Sequence, residues 1–157
     1  MSDKALRQHL VKQLSSEEAH ANFDSVIKNF PPAVRGKKPA GAQHSPWQVL
    51  EHLRIAQWDI LEFARDPKHK SPEFPAGYWP TAEAPSNETA WDESVKTFRA
   101  TLDDLARYVG DEKTDLFARI PHGDGQTVLR QALASIDHNA YHLGELLLLR
   151  RILGAWQ

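Results

Sequence analysis

Apolar residues recur at helical spacing in five stretches of the chain. Leu6, Leu10 and Leu14 stand four apart and predict a short helix over residues 3–14, read as a flap over the main body. Phe23, Ile27 and Phe30 form the next stripe, with His20 in line. Ser15, three residues before Glu18, has the spacing of a capping box, and Pro31-Pro32 ends this second helix because proline cannot continue the hydrogen-bond ladder. A third helix starts at Ser45-Pro46, serine as N-cap and proline at the first helical position, and runs to about Arg65 with Val49, Leu53, Ala56, Ile60 and Phe63 on one face. A fourth begins near Ser86-Asn87, carries Trp91, Val95, Phe98, Leu102, Leu105 and Val109 in the four-and-three rhythm of a bundle helix, and closes at Gly110.

The last helix, over residues 127–153, has two seams roughly 160° apart on a helical wheel. One is Leu129, Leu133, Ile136, Ala140, Leu143 and Leu147; the other is Gln131, Ser135, His138, His142 and Leu149. A helix with two such faces needs two partners, in its own chain or in a second copy. No strand pattern interrupts the series, so the fold expected is all-α: one domain over residues 1–157, a four-helix bundle with a short N-terminal helix.

Between the third and fourth helices, residues 66–86 hold Pro67, Pro72, Pro75, Pro80 and Pro85 together with Phe74, Tyr78 and Trp79. A structureless loop of this length is uncommon unless it covers a site, and its aromatics argue against disorder. The expectation is a crossover that folds back as a packed lid, anchored by its aromatic area, with Tyr78 and Trp79 as pocket walls. A passive crossover is the competing reading. The turn residues Pro121-His122-Gly123-Asp124-Gly125 lead into the last helix, and His122 and Asp124 are read as exposed loop residues.

Composition narrows the functions. With 157 residues, 41% hydrophobic and 25% charged, the chain suits one ordinary core. A formal net charge of -2 supplies no basic excess to neutralise phosphates, which argues against nucleic acid or an anionic membrane as partner. The chain has no cysteine, so a metal must be held by nitrogen and oxygen, and no protein thiol can serve as nucleophile. The polar start Met1-Ser2-Asp3-Lys4 lacks a signal-peptide core and the Leu146–Leu149 run is too short to span a bilayer, from which a cytoplasmic protein is expected.

The candidate chemistry lies in histidines. His138 and His142 are four apart, so on a helix they stand one above the other, spaced to grip one cation. Two imidazoles leave a divalent ion underligated, and His52, at the edge of its helix's apolar arc, offers a third ligand. The alternative is that the pair merely fills a helix face. Asp59 follows His52 on nearly the same line, as a solvated charge or a group that orients water or substrate. Glu51, Asp137 and Glu145 adjoin the histidines as acceptors for free imidazole N–H groups, and Glu145, three residues from His142, is the best placed. His20 is read first as a buried, hydrogen-bonded core histidine and second as a neighbour of the metal.

The stretches Ser45-Pro46-Trp47-Gln48-Val49-Leu50-Glu51-His52-Leu53 and His138-Asn139-Ala140-Tyr141-His142-Leu143-Gly144-Glu145 resemble those of the DinB-like (DinB/YfiT) four-helix-bundle metalloproteins. The resemblance runs from about Glu18 to the end of the chain. It implies that His52, His138 and His142 are the metal ligands, and that two copies associate as a homodimer. It leaves the reaction open, since members include thiol-dependent transferases or isomerases, hydrolase-like proteins and proteins without an assigned reaction.

Three neutral imidazoles suit a divalent transition metal, zinc or nickel first, iron or manganese as alternatives, and leave positions for water or substrate. Such an ion can lower the pKa of water toward about 7 or hold an incoming thiolate. Two functions follow. One is a metal-dependent enzyme on a small molecule, of thiol-transferase or hydrolase type, with a low-molecular-weight thiol as a candidate partner. The other is a non-catalytic metal- or ligand-binding dimer in which the ion is structural.

Overall fold

Five α-helices and two short 3-10 helices, Pro32–Val34 and Ala76–Tyr78, make up the regular structure of residues 3–15 and 20–156, the part of the chain that the computed structural model describes. The α-helices are α1 (Lys4–Ser15), α2 (Phe23–Ile27), α3 (Pro46–Arg65), α4 (Ala90–Gly110) and α5 (Val128–Ile152). No strand occurs among the described residues beyond one isolated bridge, Arg119 to Thr127, so the fold is an all-α bundle. No helix of the described residues is long and apolar enough to cross a membrane.

Local sequence sets the helix ends. Ser45 accepts from the Gln48 backbone N–H while Gln48 accepts from that of Ser45, a reciprocal box that fixes the start of α3 with Pro46 behind it. Thr127 caps α5 through the Arg130 N–H. α4 starts later than its cap signals suggest. Asn87 accepts from the N–H groups of Thr89 and Ala90, so the side chain expected to sit at the helix boundary satisfies the first turn from three residues ahead.

The amino-terminal part departs from expectation twice. α2 begins only at Phe23, because Asn22, extended at φ -84° and ψ 173°, accepts from the Ser25 N–H and starts the helix there. His20 therefore lies outside the helix, exposed, with its Nδ1 bonded to the adjacent Ala21 carbonyl, and is not a core histidine. The expected capping box at Ser15 and Glu18 falls partly outside the described residues. The second departure is α1, which is no flap. Leu10 and Leu14 are buried with Leu61, Leu105, Val109 and Leu116, and the buried Arg7 donates to the carbonyls of Val109, Asp111 and Thr114 at the end of α4. α1 and α2 thus share the first position of the bundle, one on each half.

Burial divides into two apolar clusters. One joins Phe23, Val26 and Ile27 of α2 to Leu50 and Leu53 of α3, Trp91 and Phe98 of α4, and Leu146 of α5. The other joins α1 to the last turns of α3 and α4 and the first turns of α5. The N-terminal halves of α3 and α4 share a cluster, so these two helices run parallel and α5 runs antiparallel to both. Parallel neighbours cannot be joined by a short turn, since the chain must return along about 30 Å of α3. The proline-rich segment makes that return.

The leucine seam of α5 is used inside the chain. Leu129 and Ile136 pack against the second cluster, Leu143 is buried, and Leu147 packs against the first; only Leu133 points outward. The outward apolar residues of α5 are Leu133, Tyr141, Leu148 and Ile152, a third face of which the two seams held only Leu133.

The standing of α1 as a bundle member has a direct consequence. Leu10 is 4% exposed, so Leu10→Ala should cost about 2–5 kcal/mol in chemical denaturation. A flap would lose less than about 0.5 kcal/mol.

Candidate metal centre

A polar layer separates the two apolar clusters at mid-height of the α3–α5 interface. Gln57, fully buried, accepts from Ser135 Oγ at 2.7 Å and Asn139 Nδ2 at 2.8 Å, and His52, His138 and His142 stand beside this layer. Helical periodicity builds the arrangement. Gln131, Ser135, His138 and His142 recur at four and three on α5, and His52 comes from the facing side of α3.

The three imidazoles converge on their Nε2 atoms. His52 Nε2 lies 2.9 Å from that of His138 and 3.1 Å from that of His142. Two of the three tautomers are fixed from behind. His52 Nδ1–H donates to the Tyr78 carbonyl at 2.9 Å and His142 Nδ1–H donates to Glu145 Oε2 at 2.8 Å. A carbonyl and a carboxylate only accept, so the protons sit on Nδ1 and both Nε2 lone pairs face each other. Such an arrangement is repulsive until a cation lies between the lone pairs. Metal–nitrogen bonds of about 2.0–2.1 Å place two ligands about 2.9 Å apart at a right angle and about 3.4 Å apart at the tetrahedral angle. The two separations from His52 fall in that interval, the three donor atoms all lie within 4.8 Å of one another, and the set could hold a metal ion.

Electrostatics keep His52 and His138 neutral. Burial, reinforced by the neighbouring imidazoles, lowers the pKa of His52 to about 4 and that of His138 to about 4. The hydrogen bond from His142 holds the Glu145 carboxyl below its usual range, so it is an anion at neutral pH. Behind His138 the partners are incomplete: its Nδ1, Asn139 Oδ1 and Gln57 Nε2 are buried without a hydrogen-bond partner.

The crossover segment lies along α3 in reverse order, pinned by a row of side chains. Ser45 Oγ donates to the Glu83 carbonyl, Gln48 Nε2 to that of Pro80 and His52 Nδ1 to that of Tyr78, while Asp59 accepts from Tyr78 Oη and binds His69 Nε2. Positions 45, 48, 52 and 59 share one face of α3. Gly36 admits the same segment, since a Cβ there would lie 2.4 Å from Ala84 Cβ. The anchoring is therefore polar along this row and aromatic at Trp79, which packs against the first cluster. Phe74 is 84% exposed, contrary to the expectation that it would bury its ring.

Trp79 and Tyr78 take different positions. The Trp79 indole stacks on His52 at 3.8 Å between ring centres and meets His142 edge-on at 5.7 Å, beside the three imidazoles. The Tyr78 phenol points away to Asp59 at 2.7 Å, and only its carbonyl reaches the site. Burial and the Asp59 carboxylate push the phenol up to about 12. Asp59, with both oxygens engaged, faces no open position. Glu51 binds Arg54 of its own helix and accepts from Ser94 of α4, and Asp137 is exposed. His122 bonds the Phe63 carbonyl, eleven residues and about 16 Å along α3 from His52.

Sequence reasoning passed over His44. Its ring stacks on the opposite face of Trp79 at 3.7 Å, and its Nδ1 lies 3.7 Å from Glu145 Oε1, so that one carboxylate stands between His142 and His44. Nothing in the local pattern marks it. A histidine just before a helix cap carries no periodicity, and the partner that gives it a role lies on a distant loop.

Residues 16–146 match the family model of the DinB superfamily. No curated protein and no solved structure matches the chain.

The lowered histidine values predict a pH dependence for the metal-depleted protein. Unfolded histidine binds a proton near 6.5, whereas folded His52 and His138 do so only near about 4. Unfolding therefore takes up protons between these values, and stability falls as pH drops through that window. Urea unfolding of chelator-treated protein should show a lower midpoint at pH 5 than at pH 7. The joint change His52→Asn and His138→Asn should flatten the difference.

Proposed function

The chain belongs to the DinB superfamily, and from that premise we propose that it is a metal-dependent enzyme acting on a small molecule, with one divalent transition metal ion held by His52, His138 and His142. The observation that carries this reading is the convergence of three Nε2 atoms, two of them with lone pairs fixed inward by the Tyr78 carbonyl and Glu145. The group comprises three residues among those described, so the protein fills one side of the coordination sphere and leaves the remainder to water or substrate. That feature supports a reactive ion over a structural one. Zinc or nickel suits the all-nitrogen donor set best, with iron and manganese next.

When bound, the ion supplies Lewis acidity, lowering the pKa of a water or thiol so that a nucleophile exists at neutral pH. The residues around it do the rest. The anionic Glu145 holds the His142 ring in position and makes it a better donor. Trp79 covers one face of His52 and keeps water from that side. Because the chain has no cysteine, a thiol in the reaction must come from a low-molecular-weight co-substrate, and the two reaction types that fit are thiol transfer and hydrolysis. We place the enzyme in the cytoplasm, with no nucleic acid or membrane as partner.

A homodimer fits the surface. Leu133, Tyr141, Leu148 and Ile152 are each more than half exposed along one side of α5. Among them Gly144 presents bare backbone, where a Cβ would meet nothing within 4 Å. A self-complementary stripe of this kind closes most readily as a twofold pair.

Two measurements check these readings. Elemental analysis should find one metal per chain in the wild type and loss of stoichiometric metal in His138→Ala; undiminished metal in that variant refutes the triad. Sedimentation at micromolar concentration should give a dimer that Leu148→Glu converts to a monomer, and a wild-type monomer would contradict the interface.

A further inference from the structure

We propose that Asp59 is a positioning residue for the metal centre, holding His52 in its ligand orientation through Tyr78. This rests on the reading of His52 as a metal ligand and adds to it a residue that touches none of the three imidazoles. Asp59 lies seven residues beyond His52 on α3, two turns or about 10 Å along the axis, too far for contact. Tyr78 bridges the gap. Its phenol donates to Asp59 Oδ2 at 2.7 Å, while the carbonyl of the same residue accepts from His52 Nδ1 at 2.9 Å.

The geometry explains why the bridge needs an anchor. An imidazole on a helix can turn about its own axis, and the Tyr78 carbonyl is the group that ties His52 Nδ1. That carbonyl belongs to the crossover segment, which Gln48 holds at Pro80 on one side of it and Asp59 holds through the phenol on the other. A rigid phenol fixed at one end brings the backbone of its own residue to a defined place at the other. Asp59 is suited to the task because His69, with a side chain 6% exposed, binds its second oxygen at 2.7 Å and leaves the carboxylate no freedom to turn. The same backbone carries Trp79, whose ring lies on His52 at an interplanar angle of 4°. The anchor therefore sets both the hydrogen bond that fixes the His52 tautomer and the stack that fixes its plane.

Outer hydrogen-bond partners of metal ligands typically contribute about 10–100-fold to metal affinity. Zinc titration of chelator-treated full-length protein, in competition with a chromophoric chelator, should show Asp59→Ala and Tyr78→Phe weakened by about that factor with one site retained. Leu10→Ala, a core change in the far cluster, serves as the control for lost stability and should keep wild-type affinity. Nitrogen-15 NMR of the imidazoles should show His52 as the Nδ1–H tautomer in the metal-depleted wild type and as a mixture in Tyr78→Phe, which stands in if Asp59→Ala does not fold. His52→Ala separates the two claims. If it binds zinc like the wild type, the assignment of the metal ligands falls. If it loses zinc while Tyr78→Phe and Asp59→Ala keep wild-type affinity and tautomer, the ligands stand and the positioning role is overturned.

Discussion

Two imidazole lone pairs facing each other at 3.1 Å inside a protein are the constraint on which the rest of this structure depends. Neutral rings do not choose that contact. It is imposed because each proton is drawn to the far nitrogen, by the Tyr78 carbonyl in one case and by Glu145 in the other. Burial makes protonation of His52 an expensive way to relieve the repulsion, lowering it to about 4, and lowers His138 beside it likewise. A divalent ion relieves it without adding a proton. The fold accordingly gives up apolar packing at this level, and Gln57, Ser135 and Asn139 form a polar layer between two otherwise separate clusters.

The topology and the site depend on the same segment. Because α3 and α4 run parallel, the chain must travel back along α3, and the row of Ser45, Gln48, His52 and Asp59 turns that return into a fixed surface. His52 is one of the four pins as well as one of the three converging rings. A connection demanded by topology thus supplies the acceptor that sets a ligand's tautomer and the indole that covers its face. The prolines suit this role, since they lower the entropy lost when an extended segment is held in place.

Much of this was legible in the sequence, and the exceptions have physical causes. Periodicity located α3, α4 and α5 because long amphipathic helices repeat their signal over several turns. The His138/His142 spacing and the edge position of His52 were readable because helical geometry converts sequence intervals into directions. At the amino terminus a one-turn feature, the Asn22 cap, overrides the stripe with which His20 is in line. The packing of α1 was misjudged because a short weak stripe says nothing about the buried Arg7 that ties it to the end of α4. His44, and the engagement of Asp59 by Tyr78 and His69, depend on contacts between an irregular loop and a helix. No local interval encodes these.

If His52, His138 and His142 bind as proposed, their three Nε2 atoms form one side of a metal's coordination sphere. X-ray absorption spectroscopy of the zinc-loaded protein tests it most directly, since imidazole rings bound through nitrogen give a distinctive multiple-scattering pattern. Three imidazoles are expected at about 2.0–2.1 Å, with the remaining shell made of light atoms from solvent. A first shell dominated by carboxylate oxygen, or one with fewer than two imidazoles, would contradict it.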